Sequence, residues 1–271
     1  MKIGIISSLN DQASGAMADY IITEHGFEEK MHGDALFYES EGISLYRIPE
    51  EPWRYDHADR LELDLIYFIS RHSSASAVPA LTVHSAGNWN MENQVGGMPK
   101  RLSAAAPLPM LSAFRQLSGI KIGIQKVYEA THHGPLLKTP SLFLEMGGTE
   151  STVADVELAE MAGEAAYNSV LESRSGDIDC AKVAIGIGSG HYPERFSRMA
   201  IEDGYAFSYI MPKYAIYNDD GSDNLDMLQQ AVVMSNKEPD VAVIDWKALN
   251  AATRTKVLAA LNDLGLDWEK A

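Results

Sequence analysis

The chain has 271 residues, 46% of them hydrophobic and 22% charged, with a formal net charge of −16. That balance suits one large α/β domain, or two small ones, with a sizeable core; it excludes a disordered chain, a collagen-like rod and a small disulfide scaffold. The single cysteine, Cys180, cannot close an internal disulfide, which fits a reducing cytoplasm. No run approaches the ~18 apolar residues of a membrane span, and the apolar start is too short for a signal peptide.

In chain order, short apolar runs ended by turn residues predict strands over residues 2–7, 43–48, 64–69, 80–84, 124–130, 141–146, 182–186, 207–210 and 241–244. Several are apolar throughout rather than alternating, as expected of a parallel or mixed sheet covered on both faces. Helices are predicted between them, over 13–24, 107–117, 149–173, 193–202, 225–235 and 248–264. Asn10 or Asp11 would cap the first. Thr149, Glu150 and Ser151 suit the start of the third, and Pro193 suits a first turn, where no amide donor is lost. Strands alternating with helices give an α/β class with a central sheet. Neither a repeat nor a linker stands out, so residues 1–271 are expected to form one domain. The Gly-, Asn-, Met- and Pro-rich stretch 87–109 is expected to be a long functional loop.

Charge is uneven. Residues 93–144 hold six basic side chains, Lys100, Arg101, Arg115, Lys121, Lys126 and Lys138, and one acid, Glu129, a balance of +5 that leaves −21 on the rest. Such a segment suggests a surface for an anion. The alternative is that these cations pair with acids elsewhere in the fold.

Three of the eight histidines, His25, His32 and His57, lie in polar, acidic surroundings and read as surface residues. The other five follow strands: His72, His84, the pair His132-His133, and His191. Strand C-terminal ends are where ligands bind in open α/β sheets. A further strand carries Glu145 near its end and is followed by Gly147-Gly148-Thr149-Glu150. Histidine with carboxylate, and no cysteine pair, suits zinc or a similar ion in a catalytic site with an open position. His132 and His133 are adjacent in a turn closed by Gly134-Pro135, so their side chains are expected to diverge. Gly186-x-Gly188-x-Gly190 lacks the third glycine of a dinucleotide fingerprint. It would instead let backbone approach a phosphate, carboxylate or ester oxyanion. Ser189 does not sit in a nucleophile elbow, and the acids around Cys180 would raise its thiol pKa.

Together, Ser70-Arg71-His72-Ser73-Ser74, Leu81-Thr82-Val83-His84 with Gly87-Asn88, Thr131-His132-His133-Gly134-Pro135, Glu145-Met146-Gly147-Gly148-Thr149-Glu150 and Gly188-Ser189-Gly190-His191-Tyr192 resemble the archaeal and plant zinc-dependent D-aminoacyl-tRNA deacylases. The resemblance runs in order from Met1 to the region of Pro212. It implies a three-layer α/β/α fold around a mixed, largely parallel sheet, like the phosphorylases and peptidyl-tRNA hydrolase. It also implies a cytoplasmic esterase that frees a D-amino acid from tRNA with one or two zinc ions. Under that resemblance His84, His132, Glu145 and His191 are expected to hold metal. His133, His72 and Glu150 are expected to serve catalysis. Gly188, Gly190, Asn88, Lys100, Arg101 and Lys126 are expected to meet the substrate. The partner is the acceptor end of D-aminoacyl-tRNA, with no DNA and no membrane, and the chain would act as a monomer or weak homodimer. Two other classes fit the residues: a zinc amino- or carboxypeptidase-like hydrolase of small molecules, and a non-catalytic zinc or nucleotide binder.

Overall fold

The apolar strands pair into two sheets rather than one. They are seen in a computed structural model that describes residues 1–32, 35–73, 77–91 and 95–271. Eight strands form a mixed sheet in the order β2 (Glu28–His32), β3 (Ala35–Ser40), β4 (Ile43–Ile48), β1 (Ile3–Ser8), β5 (Leu65–His72), β10 (Ser141–Gly147), β6 (Ala80–His84) and β9 (Gln125–Tyr128). β4, β1, β5 and β10 run parallel, while β6 is antiparallel to β10 and parallel to β9. Four further strands, β12 (Tyr205–Met211), β11 (Lys182–Ile187), β13 (Val241–Ile244) and β14 (Trp268–Lys270), form a parallel sheet in that order. A short hairpin pairs β7 (Gly87–Asn88) with β8 (Arg101–Leu102) inside the expected loop.

The fold is α/β, with largely parallel sheets and helices on both sides. Helices α1 (Gln12–Glu24), α2 (Pro107–Gly119) and, after the single turn α3 (Glu150–Val153), α4 (Val156–Ser175) cover one face of the large sheet. They bury Ile5, Tyr67, Ile69, Val83 and Leu144. On the small sheet, α5 (Glu194–Glu202) packs Phe196 and Ala200 toward Val183 and Phe207. α6 (Met227–Val233) and α7 (Ala251–Leu264) pack Leu228, Val257 and Leu261 toward Ile185 and Ile244 on its other face.

Local chemistry sets the boundaries. Asp11 caps α1 by accepting the Ser14 amide. The helix expected over 149–173 is broken in two because Asp155 accepts the Leu158 amide at 3.0 Å and starts a new helix, which ends at Gly176 in the left-handed conformation. β2 and β3 escape prediction because Glu28-Glu29-Lys30 reads as polar loop; they form as an edge hairpin on β4.

The two sheets meet where β9 runs out. The Glu129 amide still bonds Val83 O of β6, but the next two amides cross over. Ala130 N donates to His191 O at 2.8 Å and Thr131 N to Ile210 O at 3.0 Å. Segment 129–131 thus stitches the edge of the large sheet to the small one.

Candidate functional site

The polar cluster sits on the face of β5, β10 and β6 that the helices leave free. Strand register puts Phe68, Phe143 and His84 in one row, Ser70, Glu145 and Thr82 in the next, and His72 beside Gly147 in the third. Gly147 permits that last contact: a Cβ there would lie 2.2 Å from His72 O. Phe143 stacks flat on the His84 ring, with 5.0 Å between centroids and 5° between planes. His84 is therefore held by an aromatic floor below and Glu145 beside it, its Nε2 3.7 Å from Glu145 Oε1.

Glu129 is the hub. It is buried, and its Oε2 accepts from His191 Nε2 at 2.9 Å. Its Oε1 lies 3.0 Å from His72 Nδ1, and His132 Nε2 lies 3.8 Å from Oε2. Glu145 accepts from Ser70 Oγ at 2.6 Å and faces His72 Nδ1 at 3.6 Å. His72 Nε2 pairs with the Tyr192 hydroxyl at 3.0 Å. Burial alone would push both carboxyls up. The His191 and His72 contacts instead hold Glu129 well below the usual carboxylate range, and His72 and His84 do the same for Glu145. Burial likewise works against charge on His72, yet its two carboxylates raise it to about 11.

His84, His132 and His133 share a different pattern. Their Nδ1 atoms face the carbonyl oxygens of Ser85, Ala130 and Gly134 at 3.2, 2.9 and 2.6 Å. A carbonyl can only accept, so Nδ1 carries the proton, and Nε2 is the atom left to bind a metal whenever the ring is neutral. Burial works against charge on His84, but Glu145 beside it raises it. Burial, then the charge on His84, holds His132 well below its ordinary value and His133 down at about 4. Metal-binding histidines are oriented in this way, by an outer N–H donated to backbone. His84 Nε2 is buried with no hydrogen-bond partner. The ligating atoms of His84, His132 and His133 lie within 4.8 Å of one another, and the same holds for Glu129, His132 and His191, and for His72, Glu129 and Glu145. Imidazoles with their Nδ1 tied to backbone, beside anionic carboxylates and with an orphaned buried nitrogen, are a donor set that fits a divalent cation such as zinc.

His132 and His133 converge rather than diverge, their ring centroids 4.3 Å apart. The reason is backbone: His133 has φ +43, which turns its side chain back across the turn. The Gly87 amide, donating to His133 O at 2.7 Å, fixes that turn against β7.

Of the sequence-derived site residues, His72, His84, His132, His133, Glu145 and His191 come together. Glu150 does not join them; it is exposed on the rim of a cleft of about 790 Å³ that His72, Arg71, Asn10 and Gly148 also line. Lys126 is turned away, its ammonium on Ile122 O, and Lys100 pairs with Asp226 at 3.2 Å. Arg101 is exposed on β8 opposite Asn88, whose amide donates to Gly96 O. Gly188 and Gly190 flank Ser189 before His191, and the Gly188 amide bonds Met211 O. His57 is exposed as expected, whereas His25 stacks on Tyr167 and bonds Glu164 at 2.8 Å. The His32 side chain, Ser74 and Asn93 lie outside the described residues. Glu129 was missed as a site residue, although it is the one acid in the basic segment. Burial and Asp240 raise the Cys180 thiol, as the acidic setting implied.

A family model described as D-aminoacyl-tRNA deacylase matches residues 59–269. The D-aminoacyl-tRNA deacylase of Pyrococcus furiosus is 34% identical, with 100% of each chain covered. That of Ignicoccus hospitalis is 36% identical, with 98% of each covered. Among solved structures, a crystal structure of a conserved protein of unknown function superposes with a TM-score of 0.87 at 29% identity, covering 99% of this chain and 94% of its own.

Proposed function

The chain belongs to the D-aminoacyl-tRNA deacylase family, and from that premise we propose that it hydrolyses the ester of D-aminoacyl-tRNA at the Glu129 cluster, releasing free D-amino acid and tRNA with the help of bound zinc. The observation that carries the metal assignment is the orientation of His84, His132 and His133, each Nδ1 committed to a backbone carbonyl. These three would hold the ion; this moves His133 from catalysis to ligation. Glu129, His132 and His191 offer an alternative set for the ion, since the one free nitrogen of His132 can serve a single metal. Zinc bound there supplies a Lewis acid and brings the pKa of a coordinated water toward ~7.

The chain's own groups do the rest. Glu129 and Glu145 keep His72 protonated, so His72 donates a proton and does not take one from water. Its Nε2 reaches the Tyr192 hydroxyl, which can pass that proton to the departing ribose oxygen. The cleft beyond His72 would receive the substrate, with Glu150 at its rim. The amides of Ser189 and Gly190 would support the oxyanion. The enzyme would act in the cytoplasm as a monomer or weak homodimer; among the described residues no helix is long and apolar enough to cross a membrane.

The test is to incubate the protein with D- and L-tyrosyl-tRNA, with and without chelator, and to count the freed amino acid. Release from the D form that stops on chelation and returns with zinc is expected. Undiminished release after chelation would remove the metal, and no release from D-tyrosyl-tRNA would remove the function.

A further inference from the structure

We propose that a tryptophan and cation platform on the small sheet holds the unpaired 3′ segment of the tRNA just upstream of the esterified nucleoside. This rests on the deacylase reading and adds a docking surface to it. In the parallel sheet Ala242 lies opposite Trp268 and Ile244 opposite Lys270, so Trp268 and Lys270 share one face of edge strand β14. Trp246, two residues beyond Ile244, stacks on Trp268 with planes 9° apart and centroids 5.7 Å apart. Lys270 Nζ stands 4.3 Å from the Trp246 ring centroid and the Arg254 guanidinium 4.7 Å. The Arg254 guanidinium also donates to Trp246 O, at 2.9 Å from Nε, which pins the first indole in place. Trp268 is the outer member, 40% exposed. A large apolar ring left open on a strongly acidic protein, with cations around it, is the composition that binds single-stranded nucleic acid. Bases stack on the ring, and the Lys270 ammonium meets phosphate, while Arg254 holds the inner indole in place.

Two of the nearby acids are already engaged. Glu269 points to the opposite face of β14, where Lys182 and the Tyr205 hydroxyl engage it. Asp245 faces Arg195 at 3.7 Å. Lys247, exposed beside Trp246, adds a further cation.

Position ties the platform to the chemistry. β14 is the edge strand opposite the seam, but Trp246 comes back toward the site: it directly follows Asp245, whose amide bonds Ile187 O at the end of the strand that leads to His191. A cavity of about 230 Å³ lined by Gly190, Tyr192, Arg195 and Asp245 lies between them. By contrast, Lys100 and Lys126, the cations the sequence suggested for docking, are engaged with Asp226 and Ile122 O. A chain with its terminal nucleoside at Glu129 would carry its preceding unpaired bases across this edge.

The experiment compares Trp268→Ala, Trp268→Phe and Lys270→Ala with the wild type on two substrates, D-tyrosyl-tRNA and the 2′(3′)-O-D-tyrosyl ester of adenosine. The readout is the ratio of kcat/KM on tRNA to kcat/KM on the adenosine ester. Trp268→Ala is expected to lower that ratio by roughly 5- to 150-fold, through KM, and Trp268→Phe to restore most of it. Lys270→Ala should lower the salt slope of tRNA binding by about 0.7. An unchanged ratio in Trp268→Ala, or equal loss on both substrates, overturns the proposal. Filter binding of uncharged tRNA keeps the test independent of catalysis. If the wild type hydrolyses neither substrate, the deacylase reading fails, while equal tRNA affinity for wild type and Trp268→Ala refutes the platform by itself.

Discussion

Strands β5, β10 and β6 carry two faces that share a backbone and differ in everything else. Toward the helices they present Tyr67, Ile69, Leu144 and Val83, a close-packed apolar wall. Toward the seam they present Ser70, His72, Glu145, Thr82 and His84, all buried as well. The apolar wall is satisfied by contact alone, and its cost of disruption is cavity formation. The polar face must satisfy every donor and acceptor, and it is built so that charges neutralise one another in a ring. Two anionic carboxylates face a charged His72 and raise His84, while His132 and His133 are held neutral with one nitrogen tied to backbone. The first face makes the sheet stable. The second stores a donor set that is complete only with a cation.

That contrast is sharpest at Glu129. Glu129→Gln keeps the shape but leaves His72 charged against one partner and weakens the hold on His191. Deacylation is expected to fall at least ~100-fold, and breaking the buried pair should cost about 3–5 kcal/mol. Single-turnover deacylation and urea melts measure both. A variant that keeps the wild-type rate would show that Glu129 is only a structural anchor.

Leu144→Ala probes the other face of the same strand, one residue from Glu145. Leu144 is fully buried, and its truncation should cost about 2–5 kcal/mol with deacylation per folded molecule retained. A large fall in kcat at full folding would mean the two faces are coupled through the strand, and the comparison drawn above would not hold.

The smallest expected effect is in acid. His133 is neutral in the fold with a value of about 4, below the ordinary 6.5. In the metal-free protein the unfolded chain therefore takes up a proton between those values that the folded chain refuses. Stability from this group is intact above pH 6.5 and is lost as pH falls toward 4. Urea midpoints of chelated protein should drop across that window, and His133→Gln should flatten the drop. An equal slope in the variant would place the acid sensitivity elsewhere.

Much of this protein is legible in one dimension because it depends on neighbours in the chain. The runs at 80–84 and 241–244 coincide with β6 and β13, since burial on both faces leaves a nearly continuous apolar signal, and 43–48 coincides with β4, whose buried residues alternate with half-buried ones. Asp11 marks a helix start by its own side chain, whereas the last helix starts at its Asn250 cap, two residues later than expected. Five of the histidines stand out because each lies at or just past the end of a strand. What tertiary structure alone decided is how those pieces meet. Periodicity identifies a strand without naming its partner, so the division into two sheets was invisible, as was the antiparallel β6 that turns His84 toward Glu145. Glu129 looked like a lone acid among lysines, and it became the hub because the chain leaves the large sheet at that residue and is caught by His191 O and Ile210 O. His132 and His133 converge through a positive φ, a property of the folded turn. Trp246 and Trp268 are 22 positions apart in sequence and stacked only because β14 adds in register beside β13. Side-chain type sets what each residue can do, but distances of 3–4 Å between residues far apart in the chain exist only after the sheets have paired.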